Sequence, residues 1–199
     1  IGDRAFMNSR LTSVTLPSSI TSMGKQVFSG CRDLTSAIFE NGFTSIGENA
    51  FSGCYGLTSV TIPSSITSIS NGAFIDCTGL TSVTIPSSVI HIGDGAFALC
   101  SGLNSVTIEN GVTSIGNEVF GLCTSLTSIT LPSSITSIGD WAFAFCSGLT
   151  SIIVENTTPP TVYSDTFYDV NVTACILKVP VSAISVYEET DIWKKGRAS

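Results

Sequence analysis

The chain has 199 residues, 43% of them hydrophobic and only 12% charged, and a formal net charge of −7. That length allows one domain with a sizeable core or two small ones, and no window holds the ~20 apolar residues needed to cross a membrane. All eight basic residues lie at the ends (Arg4, Arg10, Lys25, Arg32; Lys178, Lys194, Lys195, Arg197), whereas Asp33 to Leu177 carries eleven acids and no base. This excludes nucleic acid, whose affinity comes from Lys and Arg on phosphates, and weighs against an anionic membrane surface.

The chain opens on Ile1-Gly2-Asp3-Arg4-Ala5-Phe6, which returns as Ile92-Gly93-Asp94-Gly95-Ala96-Phe97. A natural start rarely falls in mid-motif, so the sequence reads as a piece of a longer protein, with any targeting segment outside it. From Leu11 a period of 23 residues takes over: Leu11, Leu34, Leu57, Leu80, Leu103, Leu126 and Leu149 keep it without an insertion. Phe28, Phe51, Phe74, Phe97, Phe120 and Phe143 share that interval, as do Cys31, Cys54, Cys77, Cys100, Cys123 and Cys146.

One unit shows the logic. Ser59-Val60-Thr61-Ile62 alternates polar and apolar residues, which predicts a strand with Val60 and Ile62 inward and Ser59 and Thr61 outward. Pro63 cannot donate to a ladder and ends it. Ile66 and Ile69 resume an apolar pair after the Ser64-Ser65 turn, and the spacing of Ala73 and Cys77 predicts a single helical turn. Such a unit has only an apolar stripe, which it buries by stacking on its neighbours. After Val154 the pattern dissolves into Glu155-Asn156-Thr157-Thr158-Pro159-Pro160. A last partial coil follows from Val162 to Leu177, with Phe167 in the aromatic role. The predicted division is therefore repeats over 1–156, then a last partial repeat and cap over 157–199. Tyr187 and Trp193 would cover the stack end, with Lys194 and Lys195 in water.

The strand fits L-x-x-L-x-L with Val or Ile for the later leucines. More closely, the unit resembles the BspA-like leucine-rich repeats of microbial surface proteins. The resemblance rests on Leu57 through Ile69 (LTSVTIPSSITSI), Gly72-Ala73-Phe74 and the Cys–Leu spacing, and covers residues 1 to about 156. The segment from Leu177 to Trp193 resembles the closing segment of such arrays. The expected fold is a repeat solenoid of leucine-rich-repeat type, right-handed α/β but mostly β. It would have a parallel strand face, short helical or irregular returns and a C-terminal cap. The resemblance implies a non-catalytic binding module of a secreted or cell-surface protein, adhering to host matrix proteins, host cells or other microbes.

Candidate chemistry is sparse. Coils ~4.8 Å apart would bring the cysteines within bridging range, but equivalent side chains in a solenoid run parallel, and a total of seven is odd. Zinc wants Cys pairs at short spacing, and none exists; a reduced, buried ladder of low reactivity is expected. His91, the only histidine, sits where five other coils have Ser, and Asp94 could orient it, yet nucleophilic catalysis also needs a pocket. Glu48, Asp94 and Asp140 share a column with Lys25, Asn71 and Asn117, as solvated turns do more often than an acid/base pair. The glycines recur at turns, with no phosphate cradle. No metal or cofactor is expected.

The strand face is the best functional candidate: Ser59, Ser82, Ser105 and Ser128 in one outward column, and Thr61, Thr84, Thr107 and Thr130 in the next, interrupted at Ile38 and Ile153. In leucine-rich repeats this face is usually the concave binding face. Ser and Thr also simply suit an exposed sheet. Ile90 and His91 mark a second possible contact patch. The expected partner is a host matrix or cell-surface protein, or a glycan. The competing readings are an inert spacer and, more remotely, a glycan-active enzyme; the Thr/Ser ladder also suggests ice binding, against which the breaks at Ile38 and Ile153 weigh. Two sequons, at Asn156 and Asn171, are too short to carry weight.

Overall fold

The computed structural model describes residues 1–171, 173–190 and 193. It is a stack of coils in which the same physical choices recur every 23 residues. Eight strands start successive coils: β1 (Ser13–Leu16), β2 (Ser36–Phe39), β4 (Ser59–Thr61), β6 (Ser82–Ile85), β8 (Ser105–Ile108), β10 (Ser128–Leu131), β12 (Ser151–Val154) and β13 (Ile176–Lys178). All their pairings are parallel, and like residues face each other, as in Ser36 opposite Ser59 and Ser82 opposite Ser105. The hydrogen-bonded order is β1-β2-β4-β6-β8 and β10-β12-β13, with β8 and β10 lying side by side. Val60, Val83, Val106 and Ile129 point into the core, and the Ser and Thr beside them point out.

Five of the coils then make a second, two-residue strand that the sequence pattern did not announce. These are β3 (Ser45–Ile46), β5 (Ser68–Ile69), β7 (His91–Ile92), β9 (Ser114–Ile115) and β11 (Ser137–Ile138), which form a second parallel sheet. The expected helical turn at Ala73–Cys77 is replaced by linked tight turns. Ala73 and Cys77 are both fully buried, but for a different reason. The backbone visits the left-handed region twice per coil, four residues apart: at Asn49 and Gly53, Gly72 and Asp76, Gly95 and Leu99, Glu118 and Leu122. That alternation turns every second N–H along the stack, so the amides of Asn49, Phe51 and Gly53 donate to the carbonyls of Asn71, Ala73 and Ile75 at 3.0, 2.8 and 2.9 Å. A left-handed conformation costs a residue with a Cβ roughly 1 kcal/mol, and the inter-coil bonds offset it. Among the described residues the only helices are a 3-10 turn, Val181–Ala183, and α1, Ile184–Glu189.

Two ladders fill the interior. The phenylalanine rings stack from Phe28 to Phe143 with centroids 5.1–5.8 Å apart, extended by Phe6 at one end and Phe167 at the other. Beside them the six cysteine thiols from Cys31 to Cys146 each donate to the phenylalanine carbonyl of the preceding coil, Cys77 to Phe51 at 3.2 Å and Cys100 to Phe74 at 3.2 Å. A small apolar side chain with one weak donor suits that slot, and Ser9, in the coil without a cysteine, lies 3.2 Å from the Cys31 thiol.

The turn after the first strand comes in two forms. Most coils use Pro-Ser-Ser; two use Glu-Asn-Gly, at 40–42 and 109–111. There the glutamate reaches back to a preceding-coil amide, Glu109 accepting from the Ser87 N–H at 2.9 Å. Gly111 adopts φ +151°, and a Cβ on it would collide with the Ser87 carbonyl, which is backbone and cannot yield. Gly111→Ala is therefore expected to lower stability by more than ~1 kcal/mol, read as a loss of melting temperature; Gly53→Ala, where a Cβ would make only ordinary contacts, the nearest at 3.9 Å, is the milder comparison. Equal melting temperatures for the two variants would refute the argument.

At the far end Trp193 packs edge-on against Phe167, with centroids 5.6 Å apart, and Tyr187 packs on Trp193. Their polar tips are satisfied: the Tyr187 hydroxyl donates to the Asn156 carbonyl at 2.9 Å and the Trp193 indole to the Pro160 carbonyl at 3.1 Å. Both rings are buried, which makes this the cap that covers the ladder. Lys194 and Lys195, expected in water beside it, and Val172 of one sequon lie outside the described residues.

Candidate binding surface

The strand face exposes seven of its eight candidates, Ser59, Thr61, Ser82, Thr84, Ser105, Thr107 and Ser128, and half-buries Thr130. Register brings them into two rows, Ser59–Ser82–Ser105 and Thr84–Thr107. Their hydroxyls differ from those one position earlier in each coil. Thr35, Thr58 and Thr81 turn back and donate to the carbonyl of the preceding coil's threonine at 2.9, 3.2 and 3.4 Å. None of the eight face hydroxyls bonds to another protein group among the described residues, so their donors and acceptors all face water. Ile38, half exposed, breaks the Thr row between Thr15 and Thr61.

His91 and Ile90 lie on the second sheet, so the two candidate patches occupy different faces. His91 sits between Ser68 and Ser114, with its Nδ1 2.7 Å from the Ser114 hydroxyl. The 23-residue period already put Ser114 in the column of His91, but their side-chain contact was not read from it. Ile90, 53% exposed, replaces a threonine that elsewhere back-bonds, as Thr67 does to Thr44. A shallow trough of about 510 Å³ runs past His91, Ser68, Asn71, Glu48 and Lys25.

The acidic column beside this trough has a structural task. Each Asn or Asp side-chain oxygen accepts from the backbone N–H of its counterpart one coil on: Asn71 from Asp94, Asp94 from Asn117, and Asn117 from Asp140, at 2.9, 2.7 and 2.8 Å. Asp94 is thus engaged with Asn117 rather than with His91, and among the described residues no carboxylate bonds the imidazole. Glu48 pairs instead with Lys25 at 2.8 Å, on the exposed surface. A serine and a histidine without an orienting third group lack the arrangement that activates a hydroxyl.

All seven cysteines are free and buried. Burial pushes the thiols of Cys54, Cys100 and Cys146 up to about 12 and those of Cys77 and Cys123 well above their ordinary value. They stay protonated at neutral pH, and a thiol is a poor nucleophile and metal ligand.

With the coils in place, comparison with known proteins is decisive. The profile of the BspA-type leucine-rich repeat region matches in six copies, over residues 1–124 and 69–188. The chain belongs to the BspA-type leucine-rich repeat family. A leucine-rich cell surface protein of Faecalibacterium prausnitzii is 35% identical, with a TM-score of 0.72 over 83% of this chain and 45% of that one. This BspA-type chain thus spans less than half the length of that relative. The leucine-rich repeat protein of T. pallidum is 27% identical, with a TM-score of 0.53, covering 71% of this chain and 58% of that one. One from Eubacterium ventriosum, at 17% identity and a TM-score of 0.56 over 90% of this chain and 69% of its own, shares the fold. No curated protein matches. Among the described residues no helix is long and apolar enough to cross a membrane.

Proposed function

We propose that this chain is a non-catalytic binding module of a secreted or cell-surface protein, and that its first-strand face takes the ligand. The observation that carries this reading is the pair of rows from Ser59 to Thr130, in which every hydroxyl is free to bond outward while the neighbouring threonines are tied to the backbone. Similarity to a leucine-rich cell surface protein supports the location. A host matrix or cell-surface protein, or a glycan, fits a broad polar face. The net charge of −7 favours a basic partner and a salt-sensitive association. The rival is an inert spacer that holds another part of the protein away from the surface, and the monotony of the Ser/Thr rows favours it, since a uniform face discriminates poorly.

Surface plasmon resonance of the chain against matrix proteins and glycans at two salt concentrations separates the two. The variant Thr61→Lys, Thr84→Lys, Thr107→Lys is expected to abolish specific binding. Binding that persists in the triple variant would move the ligand off this face, and binding to no matrix protein or glycan would favour the spacer.

A further inference from the structure

The third side of the stack, made by the linked turns, carries a feature that the repeat does not require. In the column of Gln26, Asn49, Gly72, Gly95 and Glu118 the next coil has Trp141; in the column of Gly30, Gly53, Asp76, Leu99 and Leu122 it has Phe145. Both aromatics adopt left-handed backbone, φ 57° and 58°, where Gly and Asn are at ease and bulky side chains are rare. Tyr168, 48% exposed, joins them: its ring stacks on Trp141 at 4.8 Å and meets Phe145 edge-on at 5.4 Å. Leu122 and Leu99, each about 40% exposed, continue the stripe over the two preceding coils, whose turns are joined by amide-to-carbonyl bonds from Leu99 to Gly121 and from Leu122 to Ala144. Large rings on left-handed backbone, left part exposed rather than buried where several other coils carry Gly or Asn, mark a surface kept for contact.

Charge says what kind of contact. The Asp140 carboxylate accepts the Trp141 amide at 3.2 Å, the backbones of Glu118 and Asp165 bond to those of Asp140 and Tyr168, and Asp169 follows Tyr168 in the chain. No Lys or Arg occurs between Asp33 and Leu177 to balance these acids. Ring faces are electron-rich and attract cations, and the same array already shows the pairing: the Arg32 guanidinium lies 5.5 Å from the centre of the exposed Tyr55 ring one coil on. Among the described residues no cation lies on the Trp141 or Tyr168 ring.

We propose that Trp141, Phe145 and Tyr168, continued by Leu122 and Leu99, form a docking surface for a basic segment of a partner protein, whose arginine or lysine side chains lie on the rings. The surface is separate from the strand face and does not depend on ligand binding there. The test uses the whole chain and three synthetic peptides of equal length: alternating Arg and Gly, Ser and Gly, Asp and Gly. Titration is followed by isothermal calorimetry, which reads affinity in variants that lack Trp141 as well as in the parent. The Arg peptide is expected to bind, more weakly at high salt.

The variant Trp141→Asn, Phe145→Gly, which installs residues that other coils carry, is expected to lose roughly tenfold or more in affinity. It changes no charge and relieves the left-handed strain, so its melting temperature should hold or rise. Thr61→Ala, Thr84→Ala, Thr107→Ala should bind the Arg peptide as the parent does. Unchanged affinity in the aromatic variant, equal binding of the Ser peptide, or preference for a neutral oligosaccharide would each overturn the proposal. So would a drop in melting temperature, which would make the cluster a packing device.

Discussion

Raising the pH from 8 to 10.5 is expected to unfold the protein, with the loss of stability beginning near pH 9. The cause is the cysteine ladder. Five thiols are raised by burial from 9.0 in open chain, to about 12 for Cys54, Cys100 and Cys146 and well above the ordinary value for Cys77 and Cys123. A group that holds its proton more tightly when folded contributes nothing adverse below the unfolded value. Between the two values, however, the unfolded chain sheds protons that the folded chain must keep, so stability falls as pH rises. Each thiol costs roughly 1 kcal/mol per pH unit in that window. Five together approach several kcal/mol by pH ~10, the scale of an entire folding free energy. Melting followed by circular dichroism from pH 7 to 10.5 reads this directly, and alanine at Cys77 and Cys123 should flatten the slope. A melting temperature that stayed level to pH 10 would show the thiols to be exposed on a local opening. Alkylation by iodoacetamide at pH 8 should track unfolding for the same reason.

Phe97→Ala should cost about 3–5 kcal/mol, enough to consume a large part of the stability of a single domain. Phe97 is fully buried and stacks on Phe74 at 5.2 Å and on Phe120 at 5.8 Å, so its removal opens a void that rigid neighbours on both sides prevent from collapsing. Because each coil contacts mainly the next, such a void also breaks the coupling between the two halves of the array. Leu80→Ala should fall within ~2–5 kcal/mol on the same grounds. Phe6, 41% exposed at the end of the ladder, provides the contrast, and its loss should cost far less. Denaturant titration checks all three, and a Phe97 variant as stable as the parent would mean that the register is wrong.

The positions that repeat in kind were legible from sequence. Leu80, Phe97 and Cys100 have the same neighbours as their counterparts one period away, so spacing alone places them in the core. The second sheet was not, because a strand of two residues has no period to detect. The linked turns were read as a helical turn because Ala73 and Cys77 stand four apart, a spacing that two left-handed residues per coil produce equally well. The Asn/Asp ladder from Asn71 to Asp140 was hidden by its mixture of charge and amide, which share only a side-chain oxygen at the right reach. The strand-face rows were legible as outward residues. Their unpaired hydroxyls were not, since nothing in the sequence separates Thr61, which faces water, from Thr58, which bonds backward. Trp141 and Phe145 stood in plain view as departures from two columns, but the exposure of those columns appears only once the turns are known.

The direction of the bonds between coils has its own consequence. In the parallel sheets the donors alternate, as Ile138 donating to Thr161 and Thr161 to Thr136 show, so the strands add no net direction along the stack. The linked turns differ: there the inter-coil donors run one way, to the coil after, as Phe28 to Ala50, Phe51 to Ala73 and Phe74 to Ala96. The peptide dipoles of that one column add from coil to coil, as they do along an α-helix. A coil parted from its successor is left there with donors, and one parted from its predecessor with acceptors, so the two cut ends of such an array are chemically unlike.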